Sequence, residues 1–158
     1  IYTPPNKKVI TEPDNLQDII RNDYRHKHTG WMHEKEWRVV RRSDEKYISF
    51  IFAITQDVKY LHPKETIFVI NYDKENKRII MPEDIEAMYP NLYYNLSEYT
   101  YKELLKNEEI KNMGALKMLE EGTRANKYNF MDLAFKESSL LVIFEKYPVN
   151  LPVIAKVS

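Results

Sequence analysis

The stretch HKHTGWMHEKEWRVVRR, residues 26–42, decides the fold, because histidine, tryptophan and charged side chains are denser in it than in any other part of the chain. It contains three of the four histidines, both tryptophans and one of the three glycines. In its second half, alternation places Glu34, Glu36 and Arg38 on one side of a strand and Trp37 on the other. A helix competes, since Glu34 and Arg38 would form an i,i+4 pair, but the tryptophan and the valines favour a strand. We therefore predict a strand here.

Further strand patterns follow this stretch. Residues 47–55 form a continuous apolar run that is typical of a buried strand. Residues 66–72 and 77–81 flank a short polar connection, which is typical of a β-hairpin. Two more strands are predicted at residues 140–144 and 153–157. The sequence thus predicts an α+β fold, in which the C-terminal strands join a mainly antiparallel sheet and helices pack on one side.

Four helices are predicted from capping residues and apolar spacing. The first is capped by Asp14 or Asn15, and the second begins at Pro82. The third is expected to begin at Thr100, where Glu103 would complete a capping box, and the fourth covers residues 130–137. The expected core consists of large apolar residues from the strands and helices: Trp37, Phe50, Phe52, Ile67, Val69, Ile79, Leu116, Phe135, Leu141 and Ile143.

Composition limits the classes of protein that the chain could belong to. Its 158 residues are 43% hydrophobic, which predicts a single α+β domain over residues 1–158 with a buried core. Twenty-four basic and 24 acidic residues cancel, so no overall field attracts nucleic acid or an anionic membrane. The absence of cysteine excludes disulfides and cysteine nucleophiles. No apolar run reaches membrane-spanning length, so a cytoplasmic location is expected. The start at Ile1 is compatible with a C-terminal fragment of a longer protein.

Residues 27–40 resemble a signature of an uncharacterised bacterial family that occurs in phage and defence settings. The signature reads Lys-x-x-x-Trp-x-Tyr-Glu-Lys-Glu-Trp-Arg followed by an aliphatic residue, and this chain departs from it by placing His33 at the tyrosine position. The resemblance is confined to this stretch. It implies a bacterial or phage defence or toxin-type domain.

The Glu34-x-Glu36 pair is similar to the Glu-x-Glu element of ADP-ribosyltransferases. On a regular strand the two carboxylates would share one face about 7 Å apart, so both could reach one ligand. The resemblance implies that NAD is the substrate, that Glu36 stabilises the oxocarbenium-like transition state, and that Glu34 orients the acceptor. Trp31, His33 and Arg38 are the expected substrate-binding residues. Alternatively, the glutamates pair with neighbouring arginines on a solvated face.

The histidines of the same stretch suggest a second chemistry. His26, His28 and His33 could supply three ligands of an open zinc or manganese site, as in a metal-dependent nuclease or hydrolase. Exposed histidines in a polar loop are the alternative, and we expect that no metal is bound.

A non-enzymatic interaction domain is the other possibility. The tyrosine-rich residues 89–101 suit a protein interface, because a tyrosine ring buries area while its hydroxyl stays hydrated, although core packing could also employ them. Basic residues could bind the phosphates of a nucleic acid: Arg21, Arg25, Lys27, Arg41 and Arg42.

Overall fold

The computed structural model describes residues 2–5, 13–27, 32–58, 64–106, 108, 116–136, 139–143 and 153–155, with the backbone alone described at 32–35, 58 and 153–155. It divides the chain into two compact units, Ile1–Ile80 and Met81–Ser158. Both units are mixtures of helices and antiparallel strands, so the α+β class is confirmed. None of the helices in the described part is long and apolar enough to cross a membrane.

The first unit contains a four-stranded antiparallel sheet with its strands in chain order. The predicted strand at residues 34–40 and the predicted hairpin are both confirmed. The four strands are β1 (Met32–Ser43), β2 (Tyr47–Val58), β3 (Lys64–Asp73) and β4 (Arg78–Ile80).

One helix, α1 (Leu16–Lys27), supplies the core of the first unit on one face of this sheet. A short 3-10 helix, Pro13–Asn15, precedes it. The Tyr24 ring stacks on Phe68 of β3 with centroids 5.4 Å apart, and the Tyr24 hydroxyl donates to Oε1 of buried Gln56 over 3.2 Å. Alternate residues of β2 point toward this face and are buried: Ile48, Phe50, Phe52, Ile54 and Gln56.

Aromatic rings continue from α1 to the edge of the sheet. The Phe52 and Phe68 rings stack at 4.9 Å, and Trp37 of β1 packs on Phe52 at 5.4 Å. Trp37 is only half-buried, and the Arg21 guanidinium lies over its ring at 5.6 Å. Trp37 therefore lies at the rim of the core.

The opposite face of the sheet differs from the sequence prediction. Ile67 and Val69 were expected in the core but are half-buried, because Phe68 and Ile70 take the alternate positions toward α1. Val40 on this opposite face is 53% exposed.

A tight turn joins β3 to β4. The Asp73 carboxylate accepts hydrogen bonds from the backbone amides of Glu75 and Asn76 over 2.9 and 3.1 Å. Lys77 closes the turn with φ of 53°, a left-handed conformation that costs a residue with a Cβ more than glycine.

The second unit contains three described helices: α2 (Pro82–Met88), α3 (Leu92–Leu105) and α4 (Leu116–Gly122). The helix predicted at Pro82 is confirmed. The helix predicted to begin at Thr100 begins instead at Leu92, and Thr100 lies buried in its middle, where its Oγ1 donates to the Leu96 carbonyl over 2.7 Å.

The strands of the second unit form a sheet of their own rather than joining the first. Its order is β5 (Leu133–Lys136), β6 (Ser139–Val142) and β7 (Val153–Ala155), all antiparallel. The helix predicted over residues 130–137 is therefore wrong, because three successive buried residues of β5 pair with β6.

Of the remaining residues predicted to lie in the core, some are buried and others are not. Phe135, Leu141 and Ile79 are buried as expected, whereas Ile143 is only half-buried. The prediction that Leu116 is buried is wrong, because this residue lies at the start of α4 and is 50% exposed, while Leu119 is the buried leucine of that helix.

Candidate functional site

Glu36 lies on the face of β1 that points away from α1. Its Oε1 is 3.4 Å from Nε of Arg38, and Nη2 of Arg38 is 3.9 Å from Oε1 of Glu65 on β3. The three side chains are 58%, 55% and 51% exposed, so water surrounds every member of this ion-pair chain. Ion pairs between side chains as exposed as these contribute little to stability. The sequence did not predict that Glu65 lies near Arg38, because the two residues come together only when β1, β2 and β3 pair in one sheet.

The backbone of β1 is irregular between the two glutamates. Glu34 pairs with Gln56 and Glu36 pairs with Thr55, so Lys35 is an extra residue in the ladder. Such a bulge interrupts the two-residue alternation of a strand. The spacing of Glu34 and Glu36 in sequence therefore does not guarantee that their side chains share a face, and the Glu34 side chain lies outside the described part.

The structure describes only some of the other residues that were predicted to bind NAD. Arg38 is exposed and pairs with two carboxylates, as described above. Trp31 and the side chain of His33 lie outside the described residues, so their role in binding stays a prediction.

The structure likewise describes only some of the predicted metal ligands. His26 is exposed near the end of α1, whereas His28 and the side chain of His33 lie outside the described part. Among the residues whose side chains are described, no three histidine or acidic side chains form a group that could hold a metal ion.

Some of the predicted phosphate-binding residues have carboxylate partners within the fold. Lys27 lies 3.0 Å from the Asp23 carboxylate and donates to the Thr3 carbonyl over 2.7 Å, and the Tyr2 hydroxyl donates to Asp23 as well. Although burial opposes ionisation, the hydrogen bonds from Tyr2 and Lys27 hold the pKa of Asp23 below its ordinary value. Arg25 is exposed on the same helix. This group ties residues 2–5 to α1.

The arginines of β1 do not form a single patch with those of α1. Nη1 of Arg41 is 2.9 Å from the Asp14 carboxylate, and its guanidinium lies 5.8 Å from the ring centre of Phe50. Arg42 is the next residue on the strand and so points to the other face of the sheet. The geometry thus divides the expected nucleic-acid surface between two faces.

The tyrosines of residues 89–101 differ in their exposure to solvent. Tyr94 and Tyr99 are exposed, and the other three tyrosines are only half-buried. The side of α3 that packs inward carries different residues: Leu92, Leu96, Thr100 and Leu104. The helix therefore obtains its core from leucines and leaves its tyrosine rings accessible to solvent.

Carboxylates lie beside these rings. The Tyr94 hydroxyl donates to Oε1 of Glu98, one turn further along α3, over 3.4 Å. Burial, with smaller contributions from Glu86 and Glu83 of α2, raises the pKa of Tyr93 above its ordinary value. Sequence patterns identified the tyrosines but not the carboxylates beside them.

Comparison with known proteins finds a partial similarity. No protein-family model matches the chain. Over 102 residues the chain is 30% identical to the peptidoglycan-N-acetylmuramic acid deacetylase PdaC of Bacillus subtilis strain 168. The aligned part covers 63% of this chain and 21% of that protein, so the chain matches about a fifth of the length of the relative.

Proposed function

We propose that the chain is a non-catalytic binding domain that recognises a protein through the tyrosines of α3. The observation that carries this proposal is the solvent exposure of Tyr94 and Tyr99 on α3, a helix that packs inward through buried leucines. Tyrosine offers a large rigid ring and a polar tip, a combination that is enriched at protein interfaces.

Folding alone does not explain the rings on the solvent side of α3. A helix is stabilised by burying one face, and Leu92, Leu96 and Leu104 already do so. Tyr94, which is 60% exposed, adds apolar area that contributes little to this core. In a complex the same ring would be covered, and its burial would contribute to affinity.

The partial similarity to the deacetylase supports a domain role. The aligned segment corresponds to about a fifth of that protein and is of ordinary domain size. A segment that accounts for a small part of a longer enzyme is compatible with an accessory domain. We infer from this similarity that the chain has the role of an accessory domain.

The transferase hypothesis stays a prediction, with Glu36 as its central residue. Glu36 is 58% exposed and ion-paired with Arg38. A carboxylate that stabilises a developing cation is most effective in a site from which water is excluded. The described surroundings of Glu36 favour the structural role for this residue.

The proposed function is tested by presenting the purified domain to arrays of proteins, glycans and nucleic acids. Wild type is compared with Tyr94→Ser and with Tyr128→Ser, a control that removes a tyrosine of similar exposure from the same unit. We expect wild type and Tyr128→Ser to retain the same protein ligand and Tyr94→Ser to lose most of the signal. Circular dichroism checks that all three remain folded.

Two results would contradict the proposal. Binding only to glycans or nucleic acids would show that the partner is not a protein. An equal loss of binding in Tyr94→Ser and Tyr128→Ser would show that α3 has no special part in recognition.

A further inference from the structure

We propose that β1, the edge strand of the first sheet, pairs in antiparallel with β1 of a second copy of this chain, with Val39 opposite Val39. The two four-stranded sheets then form one continuous sheet around a two-fold axis. This inference concerns the first unit and goes beyond the proposed function, which rests on α3.

β1 has a free edge within the described part of the chain. The order of the sheet is β1-β2-β3-β4, and among the described strands only β2 pairs with β1. From Glu36 to Ser43 this pairing is regular, because the bulge lies on the N-terminal side of Glu36. The segment contains neither proline nor glycine. Its outward-pointing backbone N–H and C=O groups are therefore suited to pairing with a further strand.

The order of side chains along this edge is complementary to itself in the antiparallel direction. With Val39 opposite Val39, Glu36 lies opposite Arg42 of the second copy on the face that points away from α1. On the face toward α1, Trp37 lies opposite Arg41 of the second copy. Two-fold symmetry repeats each pair, so the interface contains two carboxylate–guanidinium pairs and two arginine–tryptophan pairs. Cross-strand pairs of these kinds stabilise an antiparallel sheet.

Neighbouring registers lack this match. A two-fold axis perpendicular to the sheet keeps the faces of both copies aligned only if one residue lies opposite itself. With Arg38 at the centre, two arginines face each other, and with Val40 at the centre, Arg38 lies opposite Arg42. Like charges directly opposite each other destabilise a sheet. Registers centred further toward the N-terminus place the second strand across the bulge. The edge therefore selects the register centred on Val39.

The side chains of this edge are accessible, and their charges are balanced. Glu36 and Arg42 are both exposed, so neither has to leave a buried position to form the pair. Val40 is 53% exposed between them, and the aliphatic stem of the arginine opposite would cover it. The three arginines of the edge are balanced by Glu36 and by the nearby carboxylates of Asp14 and Glu65. Two copies can therefore approach without net repulsion.

One strand pair makes a small interface. The segment from Glu36 to Arg42 extends about 24 Å at about 3.4 Å per residue. Interfaces of this size belong to weak, transient complexes. We therefore expect a dissociation constant on the order of 10⁻⁵ M.

Sedimentation equilibrium of the full chain between about 1 and 500 µM tests the pairing. Arg42→Glu and Glu36→Arg each place like charges opposite each other, and each should weaken association at least about tenfold. The double variant Glu36→Arg/Arg42→Glu restores opposite charges and should return to within about threefold of wild type. The control Arg124→Glu reverses an exposed charge in the second unit and should stay within about twofold of wild type. Circular dichroism checks that all variants remain folded.

A cysteine at the centre of the pair tests the register, because the chain has no cysteine of its own. In the proposed register the two Val39 Cα atoms lie about 4.5–5.5 Å apart, within the range that a disulfide spans. The two Val40 Cα atoms are offset along the strands and lie about 8 Å apart, which is too far. With oxidised glutathione, Val39→Cys should therefore form disulfide-linked dimers faster than Val40→Cys.

Four results would overturn the inference. They are a wild type that stays monomeric at the highest concentration, a dimer that Arg42→Glu leaves unchanged, a double variant that associates no better than the single variants, and cross-linking through Val40→Cys that is as fast as through Val39→Cys.

Discussion

Replacing Glu36 with glutamine separates the two roles that this residue could have. The substitution keeps the shape of the side chain and removes its negative charge. In the structural role, the change breaks one ion pair with Arg38, whose guanidinium still has Glu65 at 3.9 Å. In the catalytic role, the change removes the charge that would act in the transition state.

The structure sets the size of the expected effect. Glu36 and Arg38 are both more than half exposed, and exposed ion pairs contribute about 0.2 to 1 kcal/mol to the free energy of unfolding. We therefore expect Glu36→Gln to lower the free energy of unfolding by less than about 1 kcal/mol. For a unit of 80 residues, 1 kcal/mol corresponds to a fall of about 4–8 °C in Tm, so the observed fall should be smaller.

The assay combines thermal unfolding with NAD turnover. Tm is measured for wild type, Glu36→Gln, Arg38→Gln and the double variant, and the cycle should give a coupling energy below about 1 kcal/mol. Glu65→Gln is a matched control, because it removes the other carboxylate beside Arg38. Release of nicotinamide from NAD is measured on the same proteins and should not differ between wild type and Glu36→Gln. A measurable turnover in wild type that Glu36→Gln abolishes would refute the structural role.

Three further substitutions test the fold. Phe52→Ala should lower the free energy of unfolding by about 3–5 kcal/mol, because it removes a fully buried ring that stacks on Phe68; denaturant titration measures this. Asp23→Asn should make stability less sensitive to acid. The fold lowers the pKa of Asp23 from 3.8, so the ionised carboxylate stabilises the protein above that pH, and this contribution is lost as the pH falls further. The urea midpoint should therefore fall less between about pH 7 and pH 2 in Asp23→Asn than in wild type. Lys77→Gly should raise Tm slightly, because glycine adopts the positive φ of 53° without a Cβ clash, and no change or a loss would contradict this explanation.

Local patterns in the sequence were sufficient to predict much of the first unit. Tryptophan and β-branched residues at residues 34–40 and a short polar connection after residue 72 are strong strand and hairpin signals. The continuous apolar run at residues 47–55 predicted a buried strand, and Phe50 and Phe52 in it are buried as expected. The sequence did not predict the bulge between Glu34 and Glu36, because the bulge depends on how β1 pairs with β2.

The second unit was harder to predict for two physical reasons. Tyrosine is compatible with both core and surface, so residues 92–101 lack a sharp apolar period, and their helix follows Asn91 in a left-handed conformation rather than an ordinary cap. Residues 133–136 follow possible capping residues, yet tertiary pairing with β6 makes them a strand.

The most direct test of the proposed binding role is the ratio of two dissociation constants for the protein ligand that the arrays identify. Tyr94→Ser should weaken binding by at least about tenfold, or about 1.4 kcal/mol, because an exposed ring on α3 would be buried in the complex. Tyr128→Ser, at 69% exposure in the same unit, should stay within about twofold of wild type. Equal dissociation constants for the two variants would contradict the assignment of binding to the tyrosines of α3.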